Sequence, residues 1–250
     1  MNLKAATLYQ VKDYKNSVLI YYLVVVLVVT FSLITISAGD SSTFTSTGGI
    51  ESATSIFLFV AGLNSFRESF LMLMQNGISR KTMFISRVIS VGILSVIMAI
   101  IDRILIFLMG LVNTGNDRIE ISGLYEHFFA DHAAGLNALQ RGLEGILLAI
   151  VLYLASVAFG YFITAAYYRM GKASKIAISV GVPVGIFFVL PIIDATMAGG
   201  RIFRFIAKVL KLIFGFGEAD PYNLILSCFV AFVIFFGLSW LIVRNAVEKN

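Results

Sequence analysis

Three small groups of residues in this chain have types that chemistry could use. His127 and His132 lie beside Glu126 and Asp131. Two metal ligands on one helix face stand at i and i+4, and a spacing of five breaks that pattern. The group reads as a solvated polar loop, and no metal ligand is assigned. Gly171-Lys172 is the nearest approach to a phosphate loop, which needs Gly at 166 and Ser or Thr at 173. The chain has Ala166 and Ala173. It therefore binds no nucleotide by that device, and no cofactor is assigned to it. No H-E-x-x-H or G-x-S-x-G occurs either, so no catalytic residue is assigned. Asp102-Arg103 sits inside an apolar run, where ionisable groups are costly and face a bundle interior or water. Sequence neighbours on a helix point about 100° apart, so the two need not pair with each other. They read as buried structural groups or as part of a polar path.

Phe66 to Arg87, FRESFLMLMQNGISRKTMFISR, is distinctive for a different reason. Phe66, Phe70, Leu73 and Met74 share one helical stripe. Gln75-Asn76-Gly77 breaks the pattern, and Gly77 suits a helix C-cap. Ser79-Arg80-Lys81 then opens the next helix. A short amphipathic helix between two apolar runs presents a rigid surface outside the bilayer.

The elements that carry these groups are apolar helices. Of 250 residues, 59% are hydrophobic and only 13% charged, far from the balance of a soluble domain. The chain is expected to be one all-α integral membrane domain, 1–250, with six spans. Residues 2–16 are expected to form an interfacial amphipathic helix, with Leu3, Leu8, Val11 and Tyr14 on its apolar side. Some 17 residues precede the first run, which is too long for the core of a cleavable signal. Spans are expected at 18–38, 53–66, 82–112, 143–168, 176–193 and 222–243. Gly181, Pro183, Gly185 and Pro191 predict a kinked or broken fifth span. Residues 113–141 and 194–221 form the long connections, and residues 123–140 read as short surface helices. Cys228 lies alone in an apolar run, so no internal disulfide forms.

The net charge of +5 sits at the ends of apolar runs. It signals membrane orientation, not nucleic-acid binding. Putting the N-terminus inside gathers 12 bases there: Lys4, Lys12, Lys15, Arg67, Arg80, Lys81, Arg87, Arg169, Lys172, Lys175, Arg244 and Lys249. Six fall outside: Arg118, Arg141, Arg201, Arg204, Lys208 and Lys211. Both termini and the 66–87 stretch are therefore expected in the cytoplasm. Arg201, Arg204, Lys208 and Lys211 make one basic stripe, opposite Ile202, Phe205, Ile206, Val209 and Ile213. That segment reads as an outer-leaflet amphipathic helix, either anchoring the chain or guarding the exit of a path.

Six spans, a flat N-terminal helix, the 66–81 segment and the long connection before the last span resemble the permease subunits of bacterial type-2 ABC exporters. The local match is Phe66, Arg67, Phe70, Gly77, Ser79, Arg80 and Lys81, within F-R-x-x-F…G-x-S-R-K. The resemblance implies a bacterial plasma-membrane subunit that pairs with a second permease chain, identical or related. It implies cytoplasmic ATPase subunits that bind ATP and Mg, leaving this chain a non-enzymatic transport subunit. It also implies that 66–81 is the coupling helix. The ATPase contact would then comprise Phe66, Arg67, Glu68, Phe70, Leu73, Met74, Gly77, Ile78, Ser79, Arg80 and Lys81. The cargo class stays open among peptides, lipids and amphipathic small molecules. A secondary transporter is the alternative, although only the fifth span is clearly broken. A non-transporting subunit of a sensing or immunity complex is another.

Overall fold

A computed structural model describes residues 3–38, 45–47, 49–112, 119–215 and 220–244. Residue 2, Arg118, Lys249 and residues 113–118 and 216–219 of the two long connections therefore lie outside the described residues. So do the side chains of Arg67 and Glu68. The architecture is helical. Thr45–Thr47 (β1) and Ile119–Ile121 (β2) are the exceptions, pairing in parallel with Thr45 opposite Ile119.

Helix α1 runs unbroken from Leu3 to Ala38, 36 residues. The expected separate helix over 2–16 is thus corrected. No Gly or Pro interrupts this stretch, so nothing ends the first turns before the apolar run begins. The expected apolar side is divided, with Tyr14 turned inward and Leu3 and Leu8 outward. Ala6 and Gln10 are buried along with Tyr14. That four-residue spacing lays one face of α1 on α4, Arg80–Val112.

Helix α2, Ile50–Asn64, is 15 residues long. It buries Glu51, Thr54, Leu58 and Gly62 and packs along α7, Ala138–Arg169. The two backbones touch where glycines face each other. A Cβ on Gly62 would come 2.5 Å from Val157 O. One on Gly160 would meet Phe59 O and lie 2.9 Å from Leu63 N. Small residues let helices approach this closely in lipid, where packing replaces the hydrophobic effect.

Helix α3 spans Arg67–Gln75, α5 Leu124–Phe128 and α6 Ala130–Ala134. The last two confirm short helices in the connection, but Tyr125 and Phe129 are buried under it. Helix α8, Lys172–Val184, contains Pro183 and passes into a π-wound turn at Gly185–Val189. Leu190–Ile193 (α9) and a second π turn, Asp194–Ala198, follow. The span expected to be kinked or broken stays helical through Pro183 and Pro191 and changes to π winding beside each, the irregularity that accompanies helix kinks. Gly199 and Gly200, with φ of 57° and 78°, reverse the chain into α10, Arg201–Phe214. Helix α11, Pro221–Val243, then packs on α7.

Among the described residues, five helices are long and apolar enough to cross a membrane: those starting at Leu3, Arg80, Ala138, Lys172 and Pro221. Helix α2 is a shorter apolar helix.

Candidate functional site

Two polar constellations stand out, one at each end of the α4–α7 pair. The first surrounds α3. Its stripe faces inward: Phe66, Phe70 and Leu73 are buried, and Met74 packs against the same core. The Phe66 and Phe70 rings stack at 5.3 Å, and Phe66 meets Tyr161 and Tyr168 edge-on, each at 5.4 Å. These rings fasten α3 to α7. The expected contact surface is therefore corrected in part, because Phe66, Phe70, Leu73 and Ile78 are enclosed by the chain itself.

The polar edge remains outward. Gly77, with φ 70°, donates from N to Met74 O at 2.9 Å. Ile78 N donates to Leu73 O at 3.1 Å. This double closure is a Schellman motif, and the buried Leu73 and Ile78 supply its apolar contact. Gln75, Asn76, Gly77, Ser79 and Lys81 are exposed around it. Arg80 donates to Arg244 O at 2.9 Å, tying the start of α4 to the end of α11.

Arg87 behaves unlike the other bases. It is buried, donating at 2.8 Å to Tyr14 Oη and at 2.8 Å to Ser65 O. Its guanidinium also lies 5.7 Å from the centre of the Tyr14 ring, within cation–π range. It joins α1, the α2–α3 corner and α4, so it is no surface marker of orientation. Nearby, Gln10 donates to Ser86 Oγ at 3.0 Å.

The second constellation holds Asp102 and Arg103, which turn apart. Asp102 is fully buried. It accepts from Tyr22 Oη at 2.8 Å and from Tyr153 Oη. Tyr21 and Thr54 share a hydrogen bond of 2.7 Å beside it. Four helices, α1, α2, α4 and α7, thus converge on one carboxyl group.

Arg103 instead reaches α5. Its Nη2 donates to Glu126 Oε1 at 2.6 Å. Three glycines leave room for the guanidinium. A Cβ on Gly145 would lie 3.3 Å from Nη1, one on Gly123 3.2 Å from Nη1, and one on Gly142 3.9 Å from Nε. Glu51, at the start of α2, is buried nearby and accepts from Leu124 N. Glu144 accepts from Tyr125 Oη at 2.6 Å and Tyr222 Oη at 3.0 Å, and faces His132 Nε2 at 3.4 Å. Burial, and then the bond to Glu144, raises the Tyr125 phenol above its ordinary pKa. His127 meets the Phe128 ring and His132 meets Tyr125 and Tyr222, and among the described residues no group of three or more metal-ligating side chains forms.

Arg201, Arg204, Lys208 and Lys211 are all exposed on α10, which buries no residue. Arg204 folds back onto Gly200 O and Gly199 O, each at 3.0 Å. Asp194 caps the helix, accepting from Ile202 N at 2.8 Å and Phe203 N at 3.3 Å.

The sequence reading missed the partners of Asp102, the glycines around Arg103 and the Asp194 cap. None had a local signal, since even Asp194 stands six positions before the Gly200 N-cap, where a capping residue is looked for. No family model, curated protein or solved structure matches the chain.

Proposed function

We propose that this chain is the membrane-spanning subunit of an ATP-driven exporter. Two such subunits, identical or related, form the path, and α3 with its polar edge receives a cytoplasmic ATPase. In this reading α2 is a short second span, giving six, in a bacterial plasma membrane with both termini inside. The observation that carries it is the mounting of α3. Its aromatic face is locked into α7, while the Gly77 turn presents Asn76, Ser79 and Lys81 outward. A helix held this way transmits a push to α4 and α7 without a catalytic group, as coupling between two arrangements requires. The bond from Arg80 to Arg244 O extends that connection to α11.

The four bases of α10 would lie at the outer leaflet, with the opposite face in the acyl boundary. The cargo is a peptide, a lipid or an amphipathic small molecule. ATP and Mg belong to the partner subunit.

The test is co-purification of an ATP-binding-cassette protein encoded beside this chain, with ATPase activity measured in the reconstituted complex. Lys81→Glu and Ser79→Arg are expected to weaken the complex or uncouple hydrolysis from transport. Full coupling in both variants would overturn the reading. The buried Asp102 gives the secondary-carrier reading its own observation. Transport driven by a pH gradient without ATP, and lost in Asp102→Asn, would favour that reading instead.

A further inference from the structure

A cavity of about 630 Å³ opens between α4 and α7 beneath α5. Ligand pockets for small molecules fall in the range of roughly 300–1,000 Å³. One wall is Arg103, Ile104, Ile106 and Phe107 of α4, and the facing wall includes Arg141 and Gly142 of α7. The spacing explains the arrangement: positions i, i+1, i+3 and i+4 of α4 turn one face to the cavity. Two guanidinium groups border a space otherwise walled largely by apolar side chains.

Their hydrogen bonding is incomplete. Arg103 gives Nη2 to Glu126. Its Nη1 is buried with no hydrogen-bond partner among the described residues. Among the described residues Arg141 reaches only Leu136 O, at 3.4 Å from Nη2, and its Nε is likewise unpartnered there. Glu126 Oε2 lacks a donor there as well. Buried polar groups are ordinarily satisfied, and guanidinium donors match the oxygens of phosphate and carboxylate. Glu126 and the buried Glu51 both face Arg103, whereas Arg141 forms no ion pair among the described residues, so Arg141 is the cation left for an anionic ligand. The free Glu126 oxygen suits a hydroxyl beside the anion. Ile104 and Phe107, 51% and 64% exposed, continue the wall onto the apolar outside of α4. A ligand with one anionic end and one hydrocarbon end matches both parts.

We propose that this cavity binds the anionic headgroup of an amphiphile, a phosphate or carboxylate held between Arg103 and Arg141, with its hydrocarbon along Ile104 and Phe107. The site belongs to this chain alone and does not depend on an ATPase partner.

The test is thermal unfolding of the purified full-length chain in a non-ionic detergent. It is titrated with dihexanoyl phosphatidic acid, dihexanoyl phosphatidylcholine and inorganic phosphate. The phosphatidic acid is expected to give a saturable rise in Tm at the lowest concentration. Arg141→Gln should raise that concentration about ten- to a hundredfold, the cost of losing a hydrogen bond to a charged group. Arg141→Lys should recover part of it, and Arg204→Gln on α10 should leave it unchanged. Ile106→Trp, which fills the cavity from the α4 wall, should abolish the shift and keeps the test decisive if Arg141→Gln fails to fold. Equal binding of phosphatidylcholine would overturn the proposal. So would wild-type binding by Arg141→Gln or Ile106→Trp, or an equal loss in Arg204→Gln. Inorganic phosphate binding as tightly as the phosphatidic acid would assign the site to a free anion and overturn the amphiphile.

Discussion

Asp102 shows how much of a site a single residue can gather. The sequence displays a charge within an apolar run, and that much was legible. Its partners were not, because Tyr22 and Tyr153 lie 80 and 51 positions away, and only packing of α1 and α7 on α4 brings them in. Two tyrosine hydroxyls aimed at one carboxyl predict a steep cost for removing it. Asp102→Ala would leave the Tyr153 donor buried and unpaired, at about 1–3 kcal/mol, while Tyr22 keeps Met98 O as an acceptor at 3.1 Å. Asp102→Asn keeps an acceptor and should retain part of that stability. Thermal unfolding in detergent reads the order wild type, Asn, Ala; an Ala variant as stable as wild type would deny the tyrosines this role. Gly160 is governed by space instead. Any side chain there meets the backbone at Phe59 and Leu63, and backbone cannot swing aside. Gly160→Leu is therefore expected to destabilise by about 1–3 kcal/mol or more, as overpacked sites do. Gly92, with nothing within 4 Å of its added Cβ, is the control, and Gly92→Leu should be tolerated. Nothing in the sequence separated these two glycines, because the contact is made by a helix nearly a hundred positions away.

At the scale of elements, α3 was the most readable. Its stripe, its stop at Gly77 and the restart at Ser79 follow from local spacing, and the structure places each of them there. What spacing could not give was the direction of the stripe. An amphipathic helix between two spans can turn its apolar side to a partner or to its own chain, and Tyr161 and Tyr168 decide for the latter. The N-terminus failed for the same reason. Of the apolar residues expected on one side, Tyr14 turns into the core with the polar Gln10, which donates to Ser86, while Leu3 and Leu8 stay exposed. Gly77 carries the prediction for this element. At φ 70° a Cβ is strained by about 1–2 kcal/mol, although the space around it is open. Gly77→Val should lower the protease resistance of the α3–α4 corner while leaving the α5 end unchanged. Gly77→Asn, which tolerates the left-handed region, should recover most of the resistance. Equal resistance in the Val variant would show that the turn does not hold the corner.

For the whole molecule, the question that decides every functional reading is whether α2 crosses. Its 15 residues cover roughly 22 Å at about 1.5 Å each, short of a hydrocarbon layer of about 30 Å. A short helix can still cross by thinning the bilayer locally, and α2 has α7 along its length to shield it. Charge favours crossing too. With α2 counted as a span, the exposed bases Lys4, Lys81 and Lys175 fall on one side. Arg87, being buried, drops out of that count without reversing it. Single cysteines in a Cys228→Ser background separate the alternatives. If α2 crosses, Lys4→Cys and Ser79→Cys are labelled by a membrane-impermeant maleimide from the same side, and Leu139→Cys from the other. If α2 enters and returns, Ser79→Cys is labelled opposite to Lys4→Cys, and Leu139→Cys joins Lys4. That second pattern would place the α3 edge away from the side of the N-terminus. It would leave five crossings and, for a cytoplasmic N-terminus, remove the ground for a cytoplasmic ATPase contact, whereas the first keeps α3 on the side of the N-terminus.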